Sequence, residues 1–145
     1  MKSESVGQRG KTAEKIVEAL LKDWNRSQGF AYWRLADARA AMGRLAAQPG
    51  DFGYFCGENA GIIEVKSTEH NYRLPKAMLS QLPTLLKLEM AGASSVILVL
   101  HKGTELWRWI KPDLLDPSAP SWDLRNFATF SSAEEALKAT GYFGD

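Results

Sequence analysis

One cysteine, Cys56, and two histidines, His70 and His101, are all that this chain holds of the residues that build disulfides and soft metal sites. A lone thiol closes no intramolecular disulfide, and two histidines without partners at ligand spacing make no thiolate or imidazole zinc centre. Cys56 is expected to fill core. Neither histidine is given a metal role, although His70, in a polar stretch, lies where it can approach a nucleic acid. Long hydrophobic runs are also missing. The longest, ending Val96 to Leu100, is far short of the roughly 20 residues of a membrane helix, and the polar start from Met1 to Ser5 lacks a signal peptide's apolar core. No membrane partner is expected, and a reducing cytosol fits. Low-complexity tracts and internal repeats are absent too, and with 45% hydrophobic and 24% charged residues the chain reads as globular rather than disordered.

Net charge is only +1, so a polyanionic partner is not indicated by the total. The distribution is uneven. Residues 1–87 carry 13 basic and 9 acidic side chains, whereas residues 88–145 carry 5 and 8. The candidate acids Glu14, Asp51 and Glu64 lie in the basic first part, a distribution that supports a nucleic-acid partner only weakly.

At 145 residues the chain suits one domain, with a core over about 7–111 and a C-terminal extension over 112–145. Ala13, Ile16, Val17, Leu20, Leu21 and Trp24 recur at three- and four-residue intervals and predict a helix from Gly10 to Trp24, with Thr12 as its N-cap. Phe30 to Leu35 reads as an aromatic-rich strand, followed by a loop over 36–50 that ends in the turn signal Pro49-Gly50. Asp51–Cys56 and Gly61–Ser67, joined by Gly57 to Ala60, have the length and turn chemistry of an antiparallel hairpin. After a polar loop, residues 76–90 show helical spacing, with Pro83 marking a bend or restart. The apolar run ending at Leu100 predicts a strand buried on both faces. Glu105 to Lys111 alternates, with Leu106, Arg108 and Ile110 on one side and Trp107 and Trp109 on the other. Residues 112–124 read as loop, Leu124 to Phe130 as a late strand, and Ser131-Ser132 with Glu134 and Glu135 as the start of a short helix. The order implies an α/β sandwich around a mixed sheet.

The chemistry concentrates at Pro49-Gly50-Asp51 and Glu64-Val65-Lys66. Side chains alternate along a strand, so Glu64 and Lys66 share one face while Val65 points into the core behind. The hairpin brings Asp51 to Glu64. Two carboxylates at a sheet end, assisted by a backbone carbonyl such as that of Val65, make the oxygen-rich, partly hydrated site that Mg²⁺ prefers. Lys66 would then orient or help deprotonate a water and offset charge on a phosphate.

These residues resemble the PD-(D/E)XK nuclease superfamily, and within it the small Holliday-junction resolvases of archaeal Hjc and bacterial or phage RecU-like type. Gly10-Lys11-Thr12-Ala13-Glu14 is similar to the family's entry to its first helix, where a Glu adds an acid near the metal. Glu64 to Ser67 is similar to its third strand. Arg73-Leu74 and Leu79-Ser80-Gln81 resemble the loop and following helix in which a Gln joins the site. The first motif departs from the common form, because Gly50 separates Pro49 from Asp51. The likeness covers residues 7–100.

The resemblance implies a restriction-endonuclease-like core of order αβββαβ. It also implies a Mg²⁺-dependent endodeoxyribonuclease, with Mn²⁺ able to substitute, acting as a homodimer on four-way or branched DNA in a bacterial or phage-infected cytosol. Glu14, Asp51, Glu64, Lys66 and Gln81 would be catalytic, Asp51, Glu64 and Val65 would hold the metal, and Lys11, Arg34, Arg39, Arg44, Arg73 and Lys76 would contact DNA. Each has a plainer alternative: a solvated ion pair for Glu64 and Lys66, a turn acid for Asp51, a solvent-facing helical position for Glu14. Tyr32, Trp33, Phe52, Tyr54, Trp107 and Trp109 fit core or dimer contacts better than base stacking. The same core serves nickases, repair and restriction-like nucleases, and a non-catalytic DNA-binding or assembly protein is the alternative of a different class.

Overall fold

The computed structural model describes residues 6–35 and 48–144, with side chains from residue 12 onward. Helix α1 (Val6–Trp24) lays Ala13, Val17 and Leu21 fully buried against the sheet and leaves Ile16 exposed, so its apolar stripe is narrower than the sequence pattern. The helix runs through Gly10 instead of starting at Thr12. A glycine costs about 1 kcal/mol in a helix, too little to end one.

Five strands form a mixed sheet in the order β1-β2-β3-β5-β6. Strands β1 (Phe30–Arg34), β2 (Phe52–Cys56) and β3 (Asn59–Thr68) are successive antiparallel neighbours, and the pairing of β2 with β3 is the predicted hairpin. Strand β5 (Val96–His101) lies parallel to β3, and β6 (Leu106–Ile110) returns antiparallel beside β5. All six residues of β5 are buried, which fits a central strand covered on both sides. On one face Ile63, Val65, Leu98 and Leu100 pack with α1 and with helix α3 (Ala133–Ala139). On the other, Ile97, Val99 and Ile110 pack with Leu82 and Leu85 of α2 (Leu82–Met90). The observed order contains the predicted αβββαβ.

The segment predicted as one helix over 76–90 is a 3₁₀ turn, Lys76–Leu79, followed by α2, with Pro83 in its first turn. An N-terminal turn tolerates proline because the missing amide would have no helical partner. Three further expectations fail. The polar stretch after β3 contains a short strand, β4 (Arg73–Pro75). The loop over 112–124 contains its antiparallel partner, β7 (Ser121–Asp123), and a 3₁₀ turn, Pro112–Leu114. The late strand is instead a 3₁₀ turn, Leu124–Asn126, capped by Asp123, with a single bridge from Phe130 to Trp107. These pieces are too short to show a period, and only pairing with a distant segment makes them strands. The last helix stands as predicted, with the Ser132 hydroxyl accepting from the Glu135 amide at 3.1 Å. Residues 112–144 contribute to both cores, through Leu115, Trp122 and Leu124 on one face and Ala136 and Leu137 on the other.

Two glycines show how closely the layers approach. A β-carbon on Gly61 would lie 2.4 Å from the Ser94 carbonyl oxygen, which is backbone and also accepts the Tyr54 hydroxyl. One on Gly53 would first meet the Trp33 ring, a side chain rather than backbone and 43% exposed. Gly61→Ala is therefore expected to cost about 1–3 kcal/mol, and Gly53→Ala distinctly less, in urea unfolding followed by circular dichroism.

Candidate active site

Strand β2 pairs with β3 only as far as Phe52 opposite Ile63. One residue earlier, the Asp51 amide donates to the Ile63 carbonyl at 3.1 Å, and the Asp51 carbonyl accepts from Leu35 at 2.9 Å, so the backbone of Asp51 is held between β1 and β3. Beyond it the chain turns away and the edge of β3 opens. The Val65 amide, which would have continued the ladder, donates to Asp51 Oδ2 at 2.8 Å. In an extended strand the carbonyl of a residue points to the same side as its amide, so the Val65 carbonyl also faces this opening. Gly50 explains the interrupted Pro-Asp pattern. A β-carbon there would lie 2.3 Å from Ile62 Cγ2 and 3.3 Å from the Ile63 carbonyl, and its absence lets the turn pass directly over β3.

Three carboxylates form a row along this opening. Glu64 is 1% exposed; its Oε1 lies 4.0 Å from Lys66 Nζ, and its Oε2 has no hydrogen-bond partner. Asp51 is hydrogen-bonded to Glu64 on one side and Glu14 on the other. Burial, followed by the shared hydrogen bond and charge of Glu64, pushes the Asp51 carboxyl up to about 7. Burial and Asp51 push Glu14 up to about 7, against the pull of Arg34. Arg34 spans two turns of α1, with Nη2 3.0 Å from Glu14 and Nη1 2.9 Å from Glu18. The predicted alternation holds: Glu64 and Lys66 face the α2 side, and Val65 lies in the core beneath α1.

Among the described residues, no group of three or more His, Cys, Asp and Glu stands close enough together to hold a metal ion. The acids are arranged as linked pairs, with Asp51 in the middle. Their chemistry nonetheless fits a hard divalent cation: a buried carboxylate oxygen lacks a partner, two neighbouring carboxyls are raised to about 7 by burial and then by an adjacent carboxyl, and an oxygen-only donor set includes a backbone carbonyl.

The other sequence candidates are scattered. Gln81 caps the start of α2 on the Glu64 side of the sheet, and its Oε1 is buried without a hydrogen-bond partner. Arg34 is exposed but engaged by the two α1 glutamates. Arg73 pairs opposite Asp123 in the β4–β7 ladder, and Lys76 donates to the Pro117 carbonyl, so the 112–124 segment holds both. Arg39, Arg44 and the Lys11 side chain lie outside the described residues. Sequence reasoning missed the polar strip that continues the Glu64 and Lys66 face, formed by Thr68, His101 and Arg108, all buried. Its one signal was a charged Arg108 between Leu106 and Ile110 on an otherwise apolar side of β6.

No protein-family model matches this sequence, and no curated protein matches it. Among solved structures the chain is similar to Hjc of Archaeoglobus fulgidus, a Holliday junction resolvase from an archaeal hyperthermophile. The TM-score is 0.54 at 19% identity, over 92% of this chain and 99% of that one. The chain has the fold of that protein: a five-stranded mixed sheet flanked by helices, the restriction-endonuclease-like arrangement.

The raised carboxyls make stability depend on pH with a definite sign. Asp51 and Glu14 keep protons up to about 7 in the folded chain, whereas unfolded carboxyls release them near about 4. The folded state binds more protons between those values, so this contribution is full below about 4 and is lost as pH rises through about 7. Without metal, the melting temperature of the wild type should fall across that window more steeply than that of Asp51→Asn. Parallel slopes in differential scanning calorimetry would remove Asp51 from the coupled row.

Proposed function

We propose that this protein is a Mg²⁺-dependent endodeoxyribonuclease that cuts branched DNA, with a Holliday junction as its substrate and a homodimer as its working form. The carboxylate row Glu14, Asp51 and Glu64 beside Lys66, at the point where β2 leaves β3 in an Hjc-like fold, carries this reading. No helix among the described residues is long and apolar enough to cross a membrane.

Asp51 and Glu64, with the Val65 carbonyl, would hold the cation. Bound there, Mg²⁺ supplies Lewis-acid polarisation of the phosphate and charge neutralisation at the leaving oxygen. The chain's own groups do the rest. The Val65 amide fixes Asp51 Oδ2 at 2.8 Å and so sets the orientation of this carboxyl. Glu14, steadied by Arg34, adds negative charge behind Asp51 and accepts a proton near neutral pH. Lys66, on the same side as Glu64 and partly exposed, is positioned to orient a water and to offset the charge that builds on the phosphate. Gln81 offers an amide from the start of α2 on this side of the sheet. Two sites in a symmetric dimer would give one cut on each of two strands.

Cleavage of a labelled four-way junction beside matched linear duplex and single strand, in Mg²⁺ or Mn²⁺ and with a chelator, tests this. Junction-selective paired cuts are expected, abolished by Asp51→Asn and slowed about 10²–10⁴-fold by Lys66→Ala, with Lys66→Ala still folded. Cutting of all three substrates would leave a nuclease without junction preference. Binding without cutting in either metal would favour the non-catalytic DNA-binding protein.

A further inference from the structure

The sheet face that carries Glu64 and Lys66 does not become apolar beyond them. Register places Lys66 in a row with Val99 and Arg108, and Thr68 in the next row with His101. Arg108 is 5% exposed, and its Nε and Nη1 have no hydrogen-bond partner; the Thr68 hydroxyl and His101 Nε2 are equally without one. The Thr104 amide donates to His101 Nδ1 at 3.2 Å and the Thr104 hydroxyl lies 2.7 Å from the same nitrogen; with Nδ1 accepting from both, the ring proton is on Nε2 and that orphan can donate. Arg108 and His101 meet around Tyr72: the imidazole stacks on its ring at 4.3 Å, and the guanidinium carbon lies 5.8 Å from its centroid.

A buried guanidinium ordinarily has a carboxylate, because leaving it unpaired costs several hydrogen bonds and its desolvation. The carboxylate that acts on Arg108 electrostatically, Asp123, is already forked by Arg125, with Nε 3.0 Å and Nη2 2.9 Å from its two oxygens. Arg73 faces the same Asp123. Three arginines therefore surround one acid, and every unsatisfied group named in the strip either must donate or can. Donors without acceptors on a positive ground call for an anion with several oxygens.

We propose that Arg108, His101 Nε2 and the Thr68 hydroxyl form a phosphate-binding subsite on the Lys66 side of the carboxylate row. Its ligand is a phosphodiester of the DNA strand a step or two from the one being cut, and in naming DNA this rests on the function proposed above. Adjacent strands lie about 4.8 Å apart, so Arg108 stands two strands, about 10 Å, from Lys66 at the backbone, a span its long side chain shortens. Tyr72 and Arg125 wall the subsite, and Arg125 lies 5.5 Å over the same ring, so its exposed side chain is the part that lifts to admit the phosphate.

Two measurements on the full chain separate the subsite from the DNA reading. The first is thermal melting in chelator with increasing inorganic phosphate. Phosphate should raise the melting temperature of wild type and of the control Arg26→Met, and leave Arg108→Met unmoved. The second is fluorescence anisotropy of a labelled junction across a salt series. There Arg108→Met should bind about tenfold more weakly, with the slope of log affinity against log salt reduced by about 0.9, one phosphate's worth. If wild type gains from phosphate through Arg108 but binds no DNA, the nuclease reading fails and the subsite stands. If Arg108→Met responds to phosphate as wild type does, or binds DNA with the wild-type slope, the proposal is overturned, and Arg108 is a structural cation stacked on Tyr72. Should Arg108→Met not fold, Arg108→Lys decides. It keeps the charge and loses the fork, so affinity should fall at least threefold with the slope retained; unchanged affinity overturns the proposal.

Discussion

Strand β3 carries more of its edge than β2 can cover, and the first amide left over, that of Val65, is taken by the carboxylate of Asp51 at 2.8 Å. This bond joins the two halves of the site. It ties the turn that delivers Asp51 to the strand that delivers Glu64 and Lys66, and it turns the adjoining Val65 carbonyl toward the same opening. A backbone amide buried without a partner is costly, so the Asp51 side chain serves the fold as well as the site. Gly50 makes the approach possible, since any β-carbon there would strike Ile62.

The same opening concentrates charge of one sign. Asp51 touches a glutamate on each side, and burial raises both it and Glu14 toward neutrality. The fold tolerates this through two devices. Arg34, projecting from the end of β1, pairs with Glu14 and Glu18 of α1, and the raised Asp51 and Glu14 carboxyls take up protons near neutral pH. A row of acids built in this way is unfavourable for the folded chain when all three are charged, a stability cost common to clusters of like charge.

Along the same sheet face the balance reverses from acceptors to donors. Glu64 and Gln81 contribute buried oxygens without partners, while Thr68, His101 and Arg108 contribute donors. A face with unmatched acceptors at one end and unmatched donors at the other is unlike a packed core, and α2 covers only its apolar middle, through Leu82 and Leu85 on Ile97 and Val99. The segment from Lys111 to Phe130 completes the enclosure, with β7 pairing to β4 and Asp123 gathering Arg73 and Arg125.

The elements with enough length to display a period were legible from the residues: the α1 stripe, the β2–β3 hairpin, the buried β5 run and the alternation that sets Glu64 and Lys66 on one side. The hairpin also set Asp51 beside Glu64 and Lys66, and the resemblance added Glu14, which the structure brings next to Asp51. What the sequence could not carry was anything made by contact between distant segments. Arg34 reads as a free basic residue until α1 lies across β1 and supplies two glutamates. Arg73–Pro75 and Ser121–Asp123 are strands only because they meet. Arg108, far along the chain from any motif, acquires its character from the register of β3, β5 and β6, which alone brings it alongside Lys66 and His101. Local order follows from neighbours in the chain, whereas the protonation of Asp51 and the orphaned donors of Arg108 depend on burial, a property that exists only once the layers have closed.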